Sequence, residues 1–208
     1  MEVEVKGFLI VLSGPSGAGK NTLINRVIPR IPNLKYSVSA TTRAPRTGEV
    51  DGVDYFFVSD EEFDQMIADN EFLEWAEFVG SRYGTPRSFV EKQIELGHTV
   101  IMDVDIQGAL QIRKLMPDAV LVFLLPPTLD ELRNRLNKRG QDATDAIIKR
   151  LEHSAKELEY IVDYDYYIIN DDLDKAAERL VTIINAERCR VARTDLNAIQ
   201  QLWQRRQN

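Results

Sequence analysis

Ser13-Gly14-Pro15-Ser16-Gly17-Ala18-Gly19-Lys20-Asn21-Thr22 follows directly on the apolar run Phe8-Leu9-Ile10-Val11-Leu12. Gly14, Gly19 and Lys20 fit the phosphate-binding loop pattern through its lysine. A buried strand ends, glycines let the backbone curl, and successive N–H groups turn inward onto an anion. The helix predicted from Lys20 adds the positive end of its dipole. Lys20 itself supplies a compact positive charge for the outer phosphates. One position departs from the pattern. Where a hydroxyl residue would touch Mg²⁺, Asn21 stands instead, with Thr22 one place later. Mg²⁺ keeps several waters and leans on phosphates, so phosphate binding is expected while direct metal contact stays open. The competing reading is a plain glycine-rich turn between strand and helix.

Composition bounds what surrounds this loop. A chain of 208 residues, 44% apolar and 28% charged, can bury a core as one soluble unit with inserted subdomains. The longest apolar run, residues 119–125, is too short to span a bilayer. The opening Met-Glu-Val-Glu-Val-Lys has neither the basic start nor the apolar stretch of a signal peptide, which predicts a cytoplasmic location. A net charge of −7 argues against broad binding to nucleic acid or to an anionic membrane. The single Cys189 rules out an internal disulfide. With only His98 and His153 beside it, no Cys/His zinc site is expected. Both histidines read as ordinary helix or turn residues.

Outward from the loop, strand-like and helix-like segments alternate, which predicts an α/β fold with a mainly parallel sheet. Residues 8–12, 99–103, 119–125 and 166–169 read as buried strands. A helix is expected from Lys20 to about Arg30, closed by Pro29 and Pro32, and another from Ile106. Between residues 37 and 96 the texture changes. Short strands are predicted at 36–39, 55–58 and 73–79, punctuated by Gly48, Gly52, Gly80 and Gly84. Ser59 with Glu62 makes a capping box for a helix reaching about Asp69. These features predict a mixed, mainly β insertion facing the phosphate loop. Residues 128–159 form a basic helical stretch, opened by a second capping box of Thr128 and Glu131. Arg133, Arg135, Lys138, Arg139, Lys149 and Arg150 lie around a Gly140-Gln141-Asp142 turn. From Leu173 onward two helices with solvated charges are expected.

The run Ser37-Val38-Ser39-Ala40-Thr41-Thr42-Arg43-Ala44-Pro45-Arg46-Thr47-Gly48-Glu49 sets two arginines among hydroxyls, and arginine forks match phosphate oxygens. Taken alone it reads equally as a surface loop. With Gly52-Val53-Asp54-Tyr55-Phe56-Phe57 it resembles the guanylate kinases. So do Phe72-Leu73-Glu74-Trp75-Ala76, Tyr83-Gly84-Thr85, Asp103-Val104-Asp105-Ile106-Gln107-Gly108 and Ile169-Asn170-Asp171-Asp172. The resemblance runs over residues 7–187. It implies a P-loop NTPase-type parallel sheet flanked by helices, with an inserted mixed α+β GMP-binding subdomain and a helical lid. The implied division is a core of residues 1–38 and 97–208, a lid at 128–158 within it, and a GMP subdomain at 39–96.

The activity implied is Mg²⁺-dependent transfer of the ATP γ-phosphoryl group to GMP or dGMP, giving ADP and GDP, a step of purine metabolism. Residues 14–22 would hold the ATP phosphates. Residues matching Arg43, Arg46, Tyr55 and Tyr83 would hold the GMP phosphate, a dianion suited to arginines and phenols. Residues matching Ser39, Glu74, Thr85 and Asp105 would read guanine. That base offers N1–H and an amine as adjacent donors, whereas adenine offers an acceptor there. Asp103 would stand near the Mg²⁺ and the transferring phosphate. Arg135 and Arg150 would close over the ATP phosphates, Arg139 would stack on adenine, and Asn170 would border that base. Read without the family, Glu74 is a strand acid, Asp103 and Asp105 are caps of the next helix, and the arginines are a solvated helix face. Two alternatives accompany the enzyme: a guanylate-kinase-like module that only binds proteins, and a kinase with another acceptor. Oligomeric state stays open between monomer and homo-oligomer.

Overall fold

The central strand, β1 (Phe8–Ser13), has all six residues buried, which requires cover on both faces. Side chains alternate along it. Phe8, Ile10 and Leu12 enter one apolar cluster, while Leu9 and Val11 enter another on the opposite face. The computed structural model describes residues 6–78, 80–138, 144–194 and 196–205. After β1 come α1 (Lys20–Val27), β2 (Leu34–Tyr36), β3 (Ala40–Thr41), β4 (Phe56–Phe57) and α2 (Asp60–Ala68). Next are β5 (Phe72–Phe78), β6 (Ser81–Pro86), α3 (Arg87–Glu95), β7 (Thr99–Asp103), α4 (Ile106–Leu115) and β8 (Val120–Leu125). The chain continues through α5 (Leu129–Lys138), α6 (Thr144–Glu157), β9 (Tyr166–Ile169), α7 (Leu173–Arg188) and α8 (Leu196–Arg205).

Five strands form a sheet in the order β2-β7-β1-β8-β9, parallel at every pairing. Leu23, Ile24 and Val27 of α1 and Ala176, Ala177, Leu180 and Ile184 of α7 cover one face. Val90 of α3 and Ala109 and Ile112 of α4 cover the other. The chain leaves β1 toward β2 on one side and later reaches β8 on the other. The carboxyl end of β1 therefore opens at a switch in strand order, where ligands sit in such sheets.

A second, four-stranded mixed sheet has the order β4-β3-β6-β5. The pairings β3–β6 and β5–β6 are antiparallel. Several sequence expectations shift. The strand predicted at 36–39 is β2, at 34–36, and it belongs to the parallel sheet through pairing with β7. Residues 81–86, where no strand is predicted and Gly80 and Gly84 read as punctuation, form β6. Gly84 serves packing there, because a Cβ would lie 2.8 Å from the Phe72 ring. The helix predicted to about Arg30 ends at Val27 and tightens into a 3₁₀ turn over Ile28–Arg30, which contains Pro29. The Ser59 capping box forms in both directions, at 3.1 and 2.7 Å. At α5, Thr128 accepts from Glu131 N–H at 3.0 Å, while the Glu131 carboxylate is bonded to Arg135.

Candidate active site

The glycine loop stands where β1 ends. Gly14 has φ +135°, and a Cβ there would lie 2.2 Å from the Leu124 carbonyl oxygen, so no other residue fits. Gly19 has φ +99°, and a Cβ there would meet the Asn170 amide nitrogen at 2.7 Å. Pro15 and Ala18 are buried, Ser16 is exposed, and Gly17 packs against Leu132 and Leu136 of α5. Lys20 opens α1 and donates from Nζ to the carbonyl oxygens of Gly14 at 2.6 Å and Pro15 at 3.3 Å. Its charge is thereby held over the loop. Asn21 and Thr22 are exposed on the first turn of α1, the positive end of its dipole.

The loop is braced from behind. Asn170, buried at the end of β9, donates its amide to Ala18 O at 2.8 Å. Arg135 of α5 donates to Ala18 O at 3.3 Å and to Asn170 O at 2.8 Å, and its Nε is paired with Glu131 at 2.9 Å. Arg150 is half-buried on α6, and its carbonyl accepts from the Ser154 hydroxyl. Arg139 and the Gly140-Gln141-Asp142 turn lie outside the described residues.

Beside the loop lies a cavity of about 250 Å³ lined by both sheets. Asn21, Asp103, Val104 and Asp105 face it from the parallel-sheet side; Ser39, Tyr55, Glu74, Ala76 and Tyr83 face it from the mixed sheet and its loops. A bulge in β5 between Phe72 and Glu74 explains how one short strand serves three environments. Phe72 packs on Phe63, Leu73 enters the core cluster of β7 and α4, and Glu74 turns to the cavity. Opposite Glu74 in the ladder stands Thr85, whose hydroxyl donates to Glu74 Oε1 at 2.7 Å. Burial pushes the Glu74 carboxyl up to about 7, and the charges of Asp105 and Asp103 add to this against the Thr85 bond.

The other end of the cavity is phenolic and cationic. The Tyr55 and Tyr83 rings meet edge to face at 6.0 Å, and the Arg43 guanidinium lies 5.4 Å from the Tyr55 ring centre. Arg43 is paired with Glu49 at 2.8 Å, and the other Glu49 oxygen accepts from Arg46 N–H at 2.7 Å. The Arg43 bond holds the Glu49 carboxyl below its ordinary value, helped by the Arg46 N–H. Arg46 itself is exposed.

Three residues here escaped the sequence reading. Glu49 organises both arginines. Tyr36 donates to Asp103 Oδ1 at 2.6 Å, and burial with that negative neighbour raises its phenol. Asp54 lines the cavity and accepts from Val50 N–H at 2.8 Å. Tyr36 and Asp54 carried no signal beyond their neighbours; Glu49 lay within the arginine run and could have been paired with Arg43 by charge. Asp105 does cap α4, accepting from Gly108 N–H at 2.7 Å, and it lines the cavity as well, so capping does not withdraw it from that space. Among the described residues no group of three or more His, Cys, Asp or Glu could hold a metal, and no helix is long and apolar enough to cross a membrane.

A lysine-bearing glycine loop at the carboxyl end of a central parallel strand, opening a helix, places the chain among the P-loop nucleotide-binding folds. Residues 6–187 match the family model described as guanylate kinase. The chain belongs to the guanylate kinase family. It is 51% identical over 193 residues to a guanylate kinase of Caldanaerobacter subterraneus subsp. tengcongensis, covering 93% of this chain and 94% of that one. It is 52% identical over 187 residues to one of Desulfitobacterium hafniense, covering 90% and 94%. The crystal structure of guanylate kinase from Anaplasma phagocytophilum matches with a TM-score of 0.72 at 34% identity, covering 92% of each chain.

Proposed function

We propose that this chain is a guanylate kinase that transfers the γ-phosphoryl group of ATP to GMP or dGMP, releasing ADP and the diphosphate. The observation that carries the reading is the shared cavity. Asn21 of the phosphate loop lines the same space as Glu74, Tyr55 and Tyr83, so donor and acceptor phosphates can meet there. Bringing two anions into line demands fixed cations and exclusion of water more than covalent chemistry.

Lys20 and the loop amides take the β- and γ-phosphates, and Lys20 exchanges its carbonyl partners for phosphate oxygens. Arg43, Arg46, Tyr55 and Tyr83 orient the acceptor phosphate. Glu74 accepts from guanine N1–H and the exocyclic amine, with Thr85 fixing its carboxylate and Ser39 and Asp105 completing the base site. Adenine, with an acceptor at N1, would face that carboxylate unpaired. Arg135, Arg139 and Arg150 neutralise charge from the 128–158 lid, which closes with the 39–96 subdomain over the core to shut out water. The donor set suits Mg²⁺ carried by the nucleotide and its waters. Asn21 and Asp103, which both line the cavity, would reach that water shell rather than form an all-protein cage. When bound, the ion would neutralise charge on the nucleotide phosphates. A cytoplasmic location fits substrates of this kind.

The test is turnover with ATP, Mg²⁺ and each of GMP, dGMP, AMP, CMP and UMP. Product from the guanine nucleotides alone is expected. Failure to make GDP would overturn the reading and favour a protein-binding module, although such a module has no use for an intact Gly19–Lys20 loop.

A further inference from the structure

Gly108 is a glycine without a conformational reason. It sits in the first turn of α4 and is absent from the residues with left-handed φ. Within a helix glycine is less stable than alanine. Something other than the backbone therefore accounts for the missing side chain. A Cβ at this position would stand 3.2 Å from Glu74 Oε2, 3.4 Å from Asp105 Oδ1 and 3.2 Å from Val104 Cβ. Val104 is buried at 9% exposure and is held by its N–H to Leu12 O at 3.2 Å, so it has little room to yield. The Glu74 carboxylate would have to move. Its other oxygen is already fixed by Thr85 at 2.7 Å, so the whole group would turn about that bond.

The two carboxylates come from different parts of the fold. Glu74 arrives on β5 of the mixed sheet, and Asp105 caps the helix that follows β7 of the parallel sheet. Gly108 is the point where α4 meets the Glu74 side chain, and its N–H holds Asp105 Oδ1 at 2.7 Å. We propose that Gly108 is a specificity-determining position: lacking a Cβ, it leaves the Glu74 carboxylate room to stand beside Asp105 with its second oxygen turned to the acceptor base. A methyl there would tilt that oxygen away from the edge of guanine carrying N1–H and the exocyclic amine. Gly108 touches no substrate and acts through Glu74. The proposal rests on Glu74 reading guanine, as argued above.

The experiment compares Gly108→Ala, Glu74→Gln and the double variant in the full chain. Kinetics are measured with GMP and with inosine monophosphate, whose base lacks the exocyclic amine, and ATP affinity is titrated separately. Gly108→Ala is expected to raise KM for GMP roughly tenfold with little change in kcat, and to lower the preference for GMP over inosine monophosphate. ATP affinity should stay at the wild-type value. In the Glu74→Gln background the same alanine should cost less than about twofold, because the group it displaces is already altered. Unchanged GMP KM and preference in Gly108→Ala would overturn the proposal alone, provided Glu74→Gln loses selectivity. Equal losses in both backgrounds, or a parallel loss of ATP binding, would overturn it in favour of a packing role. Full guanine selectivity in Glu74→Gln would remove the base-reading role and this proposal together.

Discussion

Replacing Glu74 with Gln should stabilise the protein above neutral pH while costing it the use of GMP. Burial first, and then the charges of Asp105 and Asp103, push this carboxyl from 4.5 up to about 7. A carboxyl raised on folding stabilises the fold below its unfolded value, and that contribution disappears as pH rises through the folded value. The interval from 4.5 to about 7, at about 1.4 kcal/mol per pH unit, sets a ceiling of about 3 kcal/mol. Glu74 keeps some solvent contact, which screens the interaction, so a loss of about 2 kcal/mol is the working figure. For a domain of this size that is roughly 4–8 °C in Tm. Glutamine carries no such charge, so between pH 5 and pH 8 its melting temperature should fall less than that of the wild type by about this margin. Calorimetric melting at matched ionic strength reads it directly. The same variant removes hydrogen bonds made to a charged acceptor, each worth about 1.5–3 kcal/mol, so kcat/KM for GMP should drop a hundredfold or more. ATP affinity should hold. In the wild type, KM for GMP should rise about tenfold for each pH unit below 7, where the carboxyl must first lose its proton. Parallel pH–melting curves for the two proteins, or equal losses toward GMP and ATP, would refute the reasoning.

Lys20→Met should lower turnover by about 10²–10³-fold or more while far-UV circular dichroism and melting stay near wild type, because a preorganised cation is lost from a half-exposed position. Gly14→Ala should cost at least about 2 kcal/mol in denaturant titration and abolish ATP binding, since its Cβ would lie 2.2 Å from Leu124 O at φ +135°. Glu187→Ala should destabilise by about 3 kcal/mol, as it takes the carboxylate from Arg193, whose side chain is only 9% exposed and keeps, among the described residues, just the Asp118 carbonyl at 3.0 Å as a hydrogen-bond partner. KM for GMP in the surviving folded protein should be unchanged, and a shift there would tie that ion pair to the active site.

Local chemistry was readable in advance. The loop from Ser13 to Thr22, the buried strands and the Ser59 capping box depend on residues within a few positions of one another, so their patterns survive in one dimension. The family motifs pointed to candidate acceptor residues, but not to how they are held. The β5 bulge, which turns Glu74 to the cavity while Phe72 and Leu73 stay in apolar clusters, is set by pairing with β6, for which the sequence predicts no strand. Bulges and registers are properties of two strands together and leave no mark on either alone.

By itself the sequence determined that a phosphate-binding loop follows a buried strand in an α/β chain, because backbone conformation and burial period are written residue by residue. Only the tertiary structure decided that Asn170 and Arg135 brace the loop across 152 and 117 positions of chain, and that Tyr36 holds Asp103. It also decided that Gly108 makes room for Glu74. Such contacts form only after the apolar faces have packed, and packing geometry is fixed by the whole core at once rather than by any stretch within it.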